Sequence, residues 1–364
     1  MSSLVSPAVP AAAQGSGRLR VVTRTPASLA AGLVALLVVT ALAAAPLWAG
    51  RGLIQDLFFV LTMLALAQYW NLLAGFAGLV SVGQQAFVGL GAYLMFALVI
   101  GAGLDPVLSI LLAAVGTAAI AVPVTFLVFR LHGAYFAVGT WVVAEAFRLV
   151  AAQVKGLGGG TGTALPKSAT NDAAWVTVVA DALHLRSAVA RDVTAYWLAL
   201  AVAVATIALV YALLRSRQGL ALAAIRDNEG AAGSVGVAAA RAKRWVFVLA
   251  AFGTGLVGAL IYLQKARLSP DAAFSLLDWT ANVIFIVVIG GIGTIEGPIV
   301  GVLVFYLLQD QLAALGAWYL MLLGALAILV MAVAPRGLWG TLADRYDLAL
   351  FPIRRRLVVT QERP

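Results

Sequence analysis

Apolar residues run along this chain in long unbroken stretches, not in alternation with polar ones. Leu29–Ala49, Val193–Leu214 and Trp318–Ala334 each approach the ~20 residues that a helix needs to cross hydrocarbon. Inside such runs only a helix satisfies its own backbone hydrogen bonds, and the period-2 signature of a membrane barrel is missing. The pattern predicts ten spans, at about 28–49, 53–73, 85–103, 106–129, 133–152, 194–214, 244–264, 278–292, 298–314 and 316–334. The fold class that follows is all-α: a polytopic transmembrane helical bundle.

Composition sharpens this reading. The chain is 63% hydrophobic and only 11% charged, against about 25% charged residues in a soluble domain. There is no cysteine, and His132 and His184 are the two histidines. Disulfides and thiolate chemistry are excluded, and almost every metal or haem site with them. No metal, cofactor or catalytic residue set is expected. Arg18, Arg20 and Arg24 precede the first run, and Ala43 to Ala45 imitates a cleavage site. That run nevertheless continues to Ala49, beyond the 7–15 residues of a signal core, so it is expected to remain as a helix. Residues 1–25 are expected to be a disordered basic tail, 26–335 the membrane domain, and 336–364 a basic cytoplasmic tail.

The net charge of +9 could point to nucleic acid, but its placement does not. With the N-terminus in the cytoplasm, sixteen of the 24 Lys and Arg residues fall on the inner side and seven on the outer. Four of those seven lie in one long loop, where the positive-inside rule carries little weight. Ten spans with both termini cytoplasmic is the self-consistent arrangement. Three connections exceed turns: an outer loop at 153–193, an inner loop at 215–243 and a shorter outer loop at 265–277.

Two segments carry glycine clusters. Gly75, Gly78 and Gly83 lie in one, followed by Gly89 and Gly91; Gly290, Gly291, Gly293 and Gly297-Pro298 form the other. Gly/Pro interruptions at matching places in transporters mark the solute route. Asn71, Ser81, Gln84 and Gln85 surround the first break, with Gln68 one turn earlier. Such groups either line a path for a polar solute or bond helices together. Glu145 and Arg148 share one helix face, either lining the path or neutralising each other structurally. Glu296, within the second break, reads equally as a gate residue or as a solvated turn. The glycine-rich run 156–162 is not a phosphate loop, because Pro166 stands directly before Lys167 where the glycine belongs.

The inner loop is the most informative stretch. Two short helical patterns rich in Ala and Gly are separated by Arg226-Asp227-Asn228-Glu229. Small residues permit close backbone approach, as when a short helix docks in a partner's groove; an internally packed loop is the other reading.

Asn71 through Tyr93, Gly219 through Gly236, Gly290 through Pro298 and the ending Ala334-Pro335-Arg336-Gly337-Leu338-Trp339-Gly340 resemble, in this order, the permeases of branched-chain amino acid ABC transporters. The resemblance covers roughly residues 50–345 and implies a type II ABC importer-like permease in the bacterial inner membrane. It implies a second homologous permease as heterodimer partner, two cytosolic ATPase subunits holding ATP and Mg, and an extracytoplasmic solute-binding protein. The cargo implied is a branched-chain amino acid or a related small polar solute. By this resemblance Gly219, Ala223, Ala224, Arg226, Asp227, Asn228, Glu229, Ala231 and Gly236 belong to the ATPase-coupling loop. The translocation route is expected at Asn71, Gly75, Gly78, Ser81, Gln84, Gln85, Tyr93, Glu145, Gly290, Gly293 and Glu296. Gln84 stands where many relatives carry His, and a neutral amide cannot titrate. The rival class is an ATP-independent secondary transporter or channel.

Overall fold

The apolar runs fold as helices in a computed structural model that describes residues 18–22, 26–170, 172–312, 316–346, 350–351 and 356–360. In chain order these are β1 (Arg18–Val22), α1 (Pro26–Ala43), α2 (Arg51–Asn71), α3 (Gln84–Ala102), α4 (Pro106–Val128) and α5 (Ala134–Ala152). The outer loop contributes β2 (Thr163–Ala164) and α6 (Ala174–Leu183), and α7 (Ser187–Arg215) follows. Next come α8 (Arg217–Asp227), α9 (Glu229–Ser234), α10 (Ala239–Lys265), β3 (Arg267–Leu268) and α11 (Pro270–Ala273). The chain closes with α12 (Asn282–Gly290), α13 (Glu296–Leu312), α14 (Ala317–Val333), α15 (Gly337–Tyr346) and β4 (Arg356–Thr360).

Among the described residues, eight helices are long and apolar enough to cross a membrane, and each falls on a predicted span. The other two predicted spans, 28–49 and 298–314, become α1 with 18 residues and α13 with 17, just short of the ~20 that cross unaided. Local chemistry sets the ends. Asp105 accepts hydrogen bonds from the amides of Val107 and Leu108 at the start of α4, with Pro106 in the first turn. Gly103 takes the left-handed conformation that stops α3.

The helix α2 is the bundle's axis, buried on every side from Leu61 to Asn71, as expected of a helix surrounded by others. Around it pack α7, α10, α12 and α13. The crossing of α3 with α10 is a backbone approach: a Cβ on Gly258 would lie 2.6 Å from the Val88 Cα. Small residues permit such contact where no hydrophobic drive separates helix from lipid. The faces of α4 and α5 turned away from this axis expose Leu111, Val115, Phe126, Trp141 and Val142, a surface suited to acyl chains.

Two expectations for the loops change. The outer loop is not featureless: α6 occupies it, α7 already begins at Ser187, and β2 pairs antiparallel with β3. The two outer connections are thereby stapled together. Nor are the terminal segments simple tails. Arg18–Val22 of the expected 1–25 tail pairs with Arg356–Thr360 in register Arg18↔Thr360, and α15 occupies the start of the 336–364 segment. Both strands alternate or run β-branched and aliphatic residues, which favour pairing over a solvated coil. The rest of 1–25 lies outside the described residues.

Candidate functional site: paired glycine breaks and an inner helix pair

The last turn of α2 widens into a π-helical turn over Leu72–Phe76, and Gly78 (φ +69°) then reverses the chain toward α3. Irregular turns of this kind recur at functional sites. On the other side of the seam α12 ends at Gly290, and the chain passes through Gly291 and Gly293 at positive φ before α13 starts at Glu296.

These two breaks touch each other. Asn71 donates from Nδ2 to the Thr294 carbonyl at 2.7 Å and accepts from the Gly293 amide at 2.8 Å. Gln68 donates to the Ile295 carbonyl at 2.7 Å. Two amide side chains of α2 therefore satisfy the irregular backbone at 293–295, a requirement for non-helical chain at membrane depth. Gly75 is obligatory in this arrangement, since a Cβ there would lie 2.6 Å from the Gly293 amide nitrogen.

The expected inner loop forms α8 and α9. Ser216 caps the first, accepting from the Gln218 amide, and Asn228 caps the second, accepting from the Ala231 amide. Leu222, Ile225 and Ala232 are buried beneath them, whereas Ala223, Asp227, Asn228, Glu229, Ala231 and Gly236 are exposed and Ala224 half-buried. Gly219 does not belong to that outward face, and Arg226, though exposed, bends its guanidinium away from it. Gly219 is buried against the Leu214 backbone at the end of α7. Arg226 turns its guanidinium inward, and Nη1 donates to the Gly75 carbonyl at 2.6 Å. A Cβ on Gly293 would sit 2.9 Å from that same nitrogen. One side chain of the helix pair thus reaches both breaks.

The remaining polar residues are engaged within the bundle. The Trp70 indole donates to the Ser81 carbonyl at 2.8 Å, and Gln84 donates to the Leu66 carbonyl at 2.9 Å. Gln85 accepts from the Thr280 hydroxyl and returns its own amide N–H to that oxygen. The void beside Ser81 and Gln84 measures about 10 Å³, room for one water at most. In this conformation these side chains act as interhelical ties. Tyr93 packs its ring on Phe274 with centroids 5.7 Å apart. Glu296 is buried and accepts from the Phe351 amide at 2.9 Å, and Gly290 packs directly on Gly297.

Glu145 lies apart from the breaks, toward the outer loops. It pairs with Arg148 at 2.6 Å, and Arg148 also reaches Asp271 at 2.6 Å, tying α5 to α11. A second outer cluster escapes the sequence reading. The Asp192 carboxylate, fully buried, accepts from Arg51 at 2.6 Å, Gln55 at 3.0 Å and Gln264 at 2.9 Å. It joins the start of α2, the start of α7 and the end of α10. The available signal was polar residues at matching ends of three predicted spans.

A helical bundle whose two irregular breaks meet, with a short helix pair reaching into the seam, suits a membrane permease. The chain belongs to the family described as the permease component of the branched-chain amino acid transport system, which matches residues 52–331. It is accordingly a permease subunit of an ABC importer, a transport protein and not a catalyst, and a multi-pass protein of the bacterial inner membrane. Two curated relatives carry the name high-affinity branched-chain amino acid transport system permease protein LivM. The one from Salmonella typhimurium is 27% identical over 317 residues, covering 84% of this chain and 74% of its own. The one from Escherichia coli K12 is 27% identical over 318 residues with the same coverage. No solved structure matches the chain.

Proposed function

We propose that this subunit carries branched-chain amino acids, or a related small polar solute, inward through a pore shared with a second, homologous permease. Two cytosolic ATPases bind the exposed face of α8 and α9 and hold the ATP and Mg. An extracytoplasmic binding protein docks on the stapled outer loops. Both termini are cytoplasmic, on the side of the helix pair. The carrying observation is the Arg226–Gly75 bond, because it links the proposed docking helix directly to the two breaks. Asn71, Gly75, Gly78, Gly290, Gly293 and Glu296 then form the inner closure, and Ser81, Gln84, Gln85 and Tyr93 hold the helices that flank it. Movement of α8 by the ATPases withdraws Arg226 and frees the seam. The outer Glu145 belongs to the binding-protein side.

Co-purification of the tagged chain from its native membrane, read by mass spectrometry, tests the assembly. Recovery of two ATPase chains per pore and a second permease is expected. Recovery of neither, with solute uptake persisting without ATP, would overturn the reading in favour of a secondary transporter or channel.

A further inference from the structure

A groove of about 720 Å³ runs between α4 and α10. Its α10 wall carries Arg241, Arg244, Trp245, Val248 and Phe252, a stripe at helical spacing, and its α4 wall carries Ala118, Val122 and Phe126. The polarity is one-ended. Arg241 and Arg244 stand at the mouth, and everything deeper is apolar except Thr125, whose hydroxyl bonds back to the Val122 carbonyl.

The two arginines lack carboxylate partners among the described residues, unlike neighbouring Lys243, which Glu229 neutralises at 2.7 Å. The Arg244 guanidinium lies over the Phe126 ring, 5.3 Å from its centroid. It spends only Nε on the chain, donating to the Ala240 carbonyl. Trp245, 61% exposed beside them, has the character of a headgroup-level anchor. The length also fits. From Arg241 to Phe252 a helix rises roughly 16 Å at 1.5 Å per residue, about half of the ~30 Å hydrocarbon core.

From these features we infer that the groove is a binding site for one anionic phospholipid of the leaflet that faces α8 and α9. The phosphate sits between Arg241 and Arg244 and one acyl chain lies along Val122, Val248 and Phe252. A cationic mouth over an apolar slot one leaflet deep matches that ligand, and basic pockets between spans bind acidic headgroups in this way. The assignment of the leaflet as cytoplasmic rests on the proposed orientation; the binding itself does not.

The test uses the assembled importer, purified and delipidated in detergent, then incubated with phosphatidylglycerol or phosphatidylcholine. Native mass spectrometry counts the lipid retained. The expected result is retention of phosphatidylglycerol over phosphatidylcholine, reduced at least tenfold in Arg241→Gln/Arg244→Gln and unchanged in Arg345→Gln, an exposed arginine of α15 outside the groove. Ala118→Trp, which fills the apolar end and keeps both charges, is expected to lower retention as well. Equal retention of the two lipids by the unmodified protein overturns the site without recourse to any variant. So does cross-linking of Val122→Cys to the second permease, which would make the groove a subunit seam.

Discussion

Arg226, in the last turn of α8, donates to the main-chain carbonyl of Gly75 at 2.6 Å, across 151 positions of sequence. The acceptor is the residue whose missing side chain lets the two breaks touch. Whatever displaces α8 therefore acts on the seam through one charged hydrogen bond, worth about 1.5–3 kcal/mol when the donor is ionised.

Arg226→Gln is expected to separate ATP hydrolysis from transport. In proteoliposomes containing the full assembly, ATPase activity stays within about twofold while uptake falls roughly tenfold or more, the equivalent of ~1.4 kcal/mol. Arg226→Lys, which keeps the charge but not the fork, lies between. If uptake and hydrolysis fall together in Arg226→Gln, the residue serves folding or docking and not transmission.

Asn71→Leu removes both bonds to the second break and leaves the Gly293 amide and Thr294 carbonyl without their partner. Interhelical hydrogen bonds in membranes average about 0.6 kcal/mol each and reach roughly 1.7. A loss of about 1–3 kcal/mol is expected, seen as a lower thermal midpoint in detergent. An unchanged midpoint would show that the seam holds without Asn71.

Gly293→Ala places a methyl 2.9 Å from Arg226 Nη1 at a backbone angle, φ +78°, that side chains disfavour. It is expected to lower both stability and uptake. Gly101→Ala, in α3 with nothing near its Cβ, is expected to be neutral or slightly stabilising. Comparable losses in the two variants would remove the steric argument.

Asp192→Ala breaks the outer cluster from its centre. The carboxylate is fully buried while Arg51 is 49% exposed, so the effects are unequal. Asp192→Ala leaves the Gln55 and Gln264 amides without their acceptor and the half-exposed Arg51 to solvent, an expected cost of about 1–3 kcal/mol. Arg51→Ala costs less, because Gln55 and Gln264 still donate to Asp192. Thermal unfolding of the two variants side by side checks the order.

Hydropathy made the spans legible because hydrocarbon imposes one rule on every residue within them. The two α8–α9 patterns were legible from local composition, Ala- and Gly-rich stretches on either side of Arg226-Asp227-Asn228-Glu229. What the sequence withheld is pairing across distance. Asn71 and Gly293 lie 222 positions apart, and no periodicity reports that their backbones meet. Arg226 falls in the coupling loop by the resemblance alone, with no signal of where its side chain goes. Only the packing of α8 against the π-helical turn, with Leu222 and Ile225 as its buried side, turns the guanidinium inward. Asp192 read as part of a solvated loop because α7 extends further than its apolar run.

The contact of Gly75 with Gly293 has an evolutionary corollary. The contact itself is made of peptide groups, which are the same whatever amino acid the gene specifies, so substitutions act on it only through its side-chain ties, Gln68, Asn71 and Arg226. In the proposed mechanism, cargo preference can drift in the remaining walls of the pore while this latch stays constant, provided both positions remain without a side chain and the three ties are kept.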